Sequence, residues 1–210
     1  MQIHTLYPGS WLSNCYILVA QGEDGKNHAA VIDPSAPTDE ILSLLEGEEA
    51  VLDMIIMTHG HFDHIMSLDE LRDATGAPAY IHENDAEMLT DSTKNAYSFF
   101  FPDEFTQGQA DKTLADGDII KIGNESLTVI HLPGHSRGSI ALLCDGFILT
   151  GDTLFSEGFG RYDLHGGNAL ILKESLNTLK ALDQDLRIYA GHGTSARLSQ
   201  ALREISYFLN

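Results

Sequence analysis

The sequence predicts an α/β fold built on mixed sheets, and three observations carry that reading. Short β-branched and apolar runs alternate along the chain with segments whose apolar residues recur at spacings of three and four, the mark of amphipathic helices. Turn chemistry at residues 23–27 (EDGKN), 115–118 (ADGD) and 122–126 (IGNES) signals hairpins, so antiparallel pairs are expected and a uniformly parallel, doubly wound sheet fits poorly. No low-complexity tract or linker interrupts the 210 residues, so one domain spanning 1–210 is expected.

In chain order, the strand-like runs are CYILVA (15–20), AAVIDP (29–34), AVLDMIIMT (50–58), AYIH (79–82), LTVIHL (127–132), SIALLC (139–144), FILTGD (147–152) and LRIYAG (186–191). Helical spacing marks residues 38–49, 64–76, 83–90, 168–182 and 194–209. Thr38, Asn84 and Thr194 are the expected helix starts, and Gly76 the expected stop of the second helix. Residues 90–113 have no clear period and contain Phe99, Phe100, Phe101 and Pro102; they read as an irregular excursion whose rings pack near the core or a cleft.

Composition narrows the function classes. Acidic residues outnumber basic ones by 31 to 12, a formal charge of -19, which repels phosphate backbones and anionic lipid surfaces. Nucleic acid and membrane are therefore not expected partners, and a small-molecule substrate is. The absence of a basic-then-apolar leader or a bilayer-length apolar run predicts a soluble, cytoplasmic protein. Cys15 and Cys144 lie in apolar strand-like runs and are expected to be buried, reduced thiols. Nothing in the sequence specifies an oligomeric state.

The stretch MTHGHFDHIMS (57–67) crowds His59, His61, Asp63 and His64 into six positions. His59 and His61 follow a strand-like run, where residues two apart share a side if the backbone stays extended. Asp63 and His64 fall where a helix begins, so their side chains diverge and can serve a second point nearby. Three further strand-like runs lead into a potential ligand beside glycine: His135, Asp152 and His192. If those strands run the same way, all seven side chains meet at one rim. Seven are too many for one four-coordinate ion and suit two, with a carboxylate and a hydroxide shared between ions about 3.5–4 Å apart. Water on such ions has its pKa lowered to about 7, which points to hydrolysis of an electrophilic carbonyl. Zinc is the favoured ion, and imidazole with carboxylate also suits iron or manganese.

These motifs resemble the metallo-β-lactamase superfamily: HGHFDH matches its HxHxDH signature, and PGHS, TGDTLF and AGHG match its later ligand motifs. The similarity covers nearly the whole chain and is nearest to short, single-domain glyoxalase II-like hydrolases. It implies a four-layer αββα sandwich of two mixed sheets flanked by helices. It also implies His59, His61 and His135 at one metal site, Asp63, His64 and His192 at a second, and Asp152 bridging; Asp33 matches a family aspartate that supports the site from behind, or it caps a turn. Two features depart from the family pattern. Arg137 stands where proline is usual after the PGH-Ser step, and the chain ends one helix after His192, without the helical domain that helps full-length glyoxalase II bind glutathione.

The segment GFGRYD (158–163) resembles one found in the short hydrolases and in related persulfide dioxygenases. Arg161 can hold a substrate carboxylate or pair with Asp163, and Tyr162 and Phe159 are candidates for lining the cleft. His165 is a further candidate for substrate contact, whereas His4, His28, His82 and His131 read as structural or solvated. The favoured function is a binuclear metal-dependent hydrolase of small thioesters, similar to hydroxyacylglutathione hydrolases. The alternatives are a mononuclear iron persulfide dioxygenase using His59, His135 and Asp152, a lactonase-type hydrolase, and a non-enzymatic module held together by its ions.

Overall fold

The computed structural model describes residues 1–7 and 11–209. Its first sheet takes its strands in sequence order: β1 (Gln2–Leu6), β2 (Cys15–Gln21), β3 (Asn27–Ile32), β4 (Ala50–Ile56), β5 (Ala79–His82) and β6 (Lys112–Leu114). The first three are antiparallel neighbours, and β3 through β6 are parallel. The second sheet runs from β7 (Ile119–Ile122) through β8 (Glu125–His131), β9 (Ile140–Cys144), β10 (Phe147–Gly151) and β11 (Arg187–Ala190) to β12 (Ala196–Arg197). Of its pairs, only β10 with β11 is parallel.

Side-chain alternation turns these sheets into layers. On β2, Cys15, Ile17 and Val19 face α1 (Thr38–Gly47) and α2 (Leu68–Thr75), joining Ile41, Leu45, Leu68 and Leu71 in one core. Tyr16, Leu18 and Ala20 point the other way and meet Ile122, Leu127, Val129 and Leu142 of the second sheet. That sheet's far face packs Ala141, Ile148 and Ile188 on α4 (Ala169–Leu179) and α5 (Leu198–Glu204). A strand buried on both faces must be apolar at successive positions, which is why CYILVA has no polar break. The result is the four-layer αββα sandwich with mixed sheets.

Several local expectations need correction. Residues 115–118 are not a hairpin: they carry the chain from β6, at the edge of one sheet, to β7, at the edge of the other. The turns at 23–27 and 122–126 do join antiparallel neighbours. Thr38 is already inside α1, and its hydroxyl donates to Glu70 Oε2 at 2.8 Å instead of capping. Residues Glu83–Met88 form 3-10 turns in which His82 Nδ1 accepts the Asn84 N–H, so His82 and not Asn84 is the cap. Thr194 starts no helix, because Ala196 and Arg197 pair with β11; α5 begins at Leu198 and breaks at Ile205 before α6 (Ser206–Leu209). Gly76 closes α2 as expected, in the left-handed conformation at φ 71°, with its N–H on Arg72 O. The irregular excursion contains one short helix, α3 (Tyr97–Phe100), within a cluster of rings. Cys15 and Cys144 are buried free thiols, and burial pushes the Cys15 thiol up to about 12.

The topology places the site. β8 and β10 are both antiparallel to β9, and β11 is parallel to β10, so β8, β10 and β11 leave the second sheet at the same edge. The loop after β4 meets them there, where Ile140 N–H donates to Thr58 O at 2.9 Å, and Gly191 N–H donates to Gly151 O at 2.8 Å to join the ends of β11 and β10. No helix among the described residues is long and apolar enough to cross a membrane.

Candidate metal centre

His59 and His61 leave β4 on an extended loop, and Asp63 and His64 follow in a single 3-10 turn, Phe62–His64. His135 lies in the loop beyond β8, four residues past its end, Asp152 directly follows β10, and His192 lies two residues past β11. The seven side chains converge. His135 Nε2 is 2.8 Å from His61 Nδ1 and 3.1 Å from His59 Nε2. His192 Nε2 is 3.2 Å from Asp63 Oδ2, and His64 Nε2 is 3.9 Å from the same oxygen. Asp152 stands between the two groups, with Oδ1 3.3 Å from His64 Nε2 and Oδ2 3.7 Å from His135 Nε2 and 3.5 Å from His192 Nε2.

Backing groups fix which ring nitrogen faces inward. Thr58 has a single hydroxyl proton, which it donates to Asp33 Oδ2 at 2.7 Å; it must therefore accept from His59 Nδ1–H at 3.2 Å, turning the bare Nε2 toward the centre. His64 Nδ1–H donates to Asp33 Oδ2 at 2.8 Å, and His135 Nδ1–H donates to Arg161 O at 2.7 Å, with the same consequence. Asp33 also accepts the Thr58 N–H at 2.7 Å and sits at φ 52°, a left-handed conformation that Asp tolerates better than most side chains. Its expected support from behind is thus a shared hydrogen-bond anchor for two rings.

Burial and mutual repulsion hold the His59 pKa well below the usual imidazole value, and the same causes push His61 down to about 3. Around His64 the balance reverses: burial opposes its charge, yet Asp152, Asp33 and Asp63 raise its pKa well above normal. Asp152 is held far below the carboxylate range, since His64, His135 and His192 overcome the effect of burial. The Asp-containing group therefore demands positive charge at its centre.

Donor chemistry and unsatisfied atoms fit divalent cations. His64 Nε2 and Asp152 Oδ1 are buried without a hydrogen-bond partner, a costly state for groups that nothing else engages. His59, His61 and His135 can offer donors to one ion, and Asp63, His64 and His192 to another. Close approach of the backbone completes the arrangement: a Cβ at Gly191 would collide with Asp152 Oδ1, and one at Gly160 with the Asp152 carbonyl.

Sequence reasoning missed two supports. Thr58 orients His59 as described, and Asp85 ties the two ligand-bearing loops together. The buried Asp85 carboxylate accepts Ser136 Oγ–H at 2.6 Å, Gly138 N–H at 2.6 Å and Gly60 N–H at 3.2 Å. A buried carboxylate three residues into a surface-looking helical run carries no periodic signal; a polar residue off the apolar stripe was the only hint.

The substrate-side expectations divide. Arg161 lines the cleft over the cluster, but its Nε and Nη2 donate to Asp163 at 2.7 and 2.9 Å, which is the ion-pair alternative. Tyr162 and Phe159 do not line the cleft: both rings turn outward onto Phe208, at 6.3 and 4.3 Å. His165 faces Glu87 at 3.3 Å and Arg137 is exposed, both outside the cleft lining. The cleft, about 600 Å³, is lined instead by Trp11, Phe62, Phe100 and Phe101, together with Phe155 and Leu164.

An αββα sandwich gathering five imidazoles and two carboxylates at one sheet edge defines a metal-binding hydrolase-type architecture. Residues 8–192 match the family model described as the metallo-beta-lactamase superfamily, and the chain belongs to that superfamily. Hydroxyacylglutathione hydrolase GloC of Haemophilus influenzae is 31% identical over 100% of this chain and 99% of its own. The crystal structure of BLEG-1 B3 metallo-beta-lactamase superposes with a TM-score of 0.88 at 28% identity, covering 100% of both chains. TTHA1623, solved in a di-iron-bound form, superposes with a TM-score of 0.76 at 26% identity over 97% of this chain and 98% of its own.

Proposed function

We propose that this protein is a metal-dependent hydrolase of small thioesters that works with two divalent ions. The observation that carries the reading is Asp152, one carboxylate set between two complete donor groups, 3.3 Å from His64 Nε2 and 3.7 Å from His135 Nε2. In this reading His59, His61 and His135 hold one ion, Asp63, His64 and His192 the other, and Asp152 serves both. Such ions polarise a carbonyl and bring the pKa of water to about 7.

The chain's own residues do the rest. Asp33 and Thr58 hold His59 and His64 in the tautomer that presents Nε2, so little reorganisation is needed when the donors engage. Phe62 and Trp11, in contact at a ring separation of 5.4 Å, cover one side of the cluster and limit access of bulk water. In the reaction, hydroxide would add to the thioester carbonyl and the C–S bond would break, giving the carboxylic acid and a thiolate, with the acid's proton then passing to the thiolate or to solvent; a thiolate departs without a strong acid. A relative that this chain matches along its full length, GloC, is named for such a reaction. Metal analysis coupled to thioester, lactone, β-lactam and oxygen-uptake assays on one preparation tests the reading. Expected are about two ions per chain and turnover of thioesters above the other classes; oxygen uptake with a persulfide and no thioester turnover would replace it with the dioxygenase.

A further inference from the structure

Beyond covering one side of the cluster, one aromatic wall of the cleft takes no part in the hydrolytic step. Phe62 lies between His61 and Asp63 in the chain, so its ring begins that wall at the reacting end. Trp11 packs on it at 5.4 Å, and Phe100 and Phe101 each at 5.8 Å. Trp11 and Phe100 remain 47% and 51% exposed, leaving aromatic surface in contact with water that a ligand in the cleft would cover. Burying such surface is favourable, and aromatic groups add a geometric preference for stacking or edge contact.

Charge points the same way. Among the described residues lining the cleft, Arg161 is the single lysine or arginine. Its guanidinium is already bidentate on Asp163 and lies 5.9 Å over the Phe99 ring. A glutathione conjugate would bring two carboxylates to this one neutralised cation, on a chain of net charge -19. Unpaired carboxylates entering an apolar cleft lose hydration without return.

We propose that the cleft takes an uncharged thioester bearing an aryl or similarly bulky apolar group, seated on Trp11, Phe62, Phe100 and Phe101, in preference to a glutathione conjugate. This rests on the thioester-hydrolase reading above and assigns its substrate class. Apolar clefts with few polar groups select by shape and desolvation, and this wall supplies both.

Binding and turnover are tested separately on the holoenzyme. Trp11 is the chain's one tryptophan, so its emission reports on the wall directly. Titration with benzyl methyl sulfide is expected to shift that emission to the blue and to give a Kd at least about tenfold below that of S-methylglutathione. An unchanged spectrum, or equal or tighter binding of S-methylglutathione, overturns the proposal. In turnover, S-benzyl thioacetate is expected to exceed S-acetylglutathione in kcat/KM by about tenfold or more, and Phe100→Ala to cut that ratio at least about fivefold, chiefly through KM. A ratio at or below unity, or one indifferent to Phe100→Ala, overturns it. Selective sulfide binding with neither thioester hydrolysed supports the apolar subsite and removes the thioester reading instead.

Discussion

Ten histidines in one chain show two uses of an imidazole side by side. Five stand at the sheet edge with ring nitrogens facing one another, as His135 Nε2 faces His61 Nδ1 at 2.8 Å and His59 Nε2 at 3.1 Å. The other five face carboxylates, a carbonyl or a backbone N–H instead of one another's nitrogens, although His4 Nε2 makes no hydrogen bond. His28 sits between Asp53 at 2.8 Å and Asp24 at 3.1 Å, His4 is 3.3 Å from Glu48, and His165 is 3.3 Å from Glu87. His131 donates to Arg137 O at 2.8 Å while stacking on His82, which caps a turn. The difference teaches what marks a ligand. A lone histidine beside a carboxylate is satisfied as it stands, whereas His59 and His61, buried among other imidazoles, repel protons and His64, buried among three carboxylates, draws positive charge; a divalent cation suits both settings.

The largest expected effect separates the two groups outright. His135→Ala and Asp152→Ala should each lower kcat/KM by about a thousandfold or more and reduce bound metal, whereas His131→Ala should stay within about twofold. Comparable losses in all three would erase the distinction. Next comes Asp33→Asn, which keeps a residue suited to positive φ but loses the charge that draws His64 Nδ1–H and Thr58. Metal affinity and activity should fall about 10–100-fold, measured by chelator competition and steady-state rates.

A stability effect follows from the tie between the loops. Asp85→Ala strands Ser136 Oγ and the N–H groups of Gly60 and Gly138, and should destabilise the fold by about 2–4 kcal/mol in urea unfolding; a change below about 0.5 kcal/mol would show that the loops hold without it.

The smallest effect is a matter of sign. Hydrogen bonds that His28 donates to Asp24 and then Asp53 raise its pKa, so its contribution is present below the unfolded value of about 6.5 and fades as pH rises through the folded one. His61 is pushed down to about 3 by burial and by His135, so the metal-free fold loses stability as pH falls below about 6.5 and the unfolded chain takes up that proton. In the metal-free protein, His28→Gln should therefore be more destabilising at pH 5.5 than at pH 8, and His61→Gln relatively less. Parallel pH profiles for the two variants would break the comparison between rim and periphery.

The local chemistry of the chain determined much. Runs apolar at every position became strands buried on both faces, because a central strand between two cores has no solvent side. HGHFDH placed four donors on one short loop, since an extended segment followed by a tight turn leaves little freedom. Tertiary structure decided what depends on partners distant in sequence. Residues 115–118 look like a hairpin turn, yet whether two strands pair or part into different sheets depends on the rest of the sheet and not on the turn. Tyr162 and Phe159 look as fit for the cleft as Trp11 and Phe100; the contact with Phe208 draws them away, while Phe62 gathers the other rings. Thr58 can orient His59 only because Asp33, 25 residues away, takes its proton, and Asp85 acts on Gly138, 53 residues away; no period or propensity records a hydrogen bond across such distances.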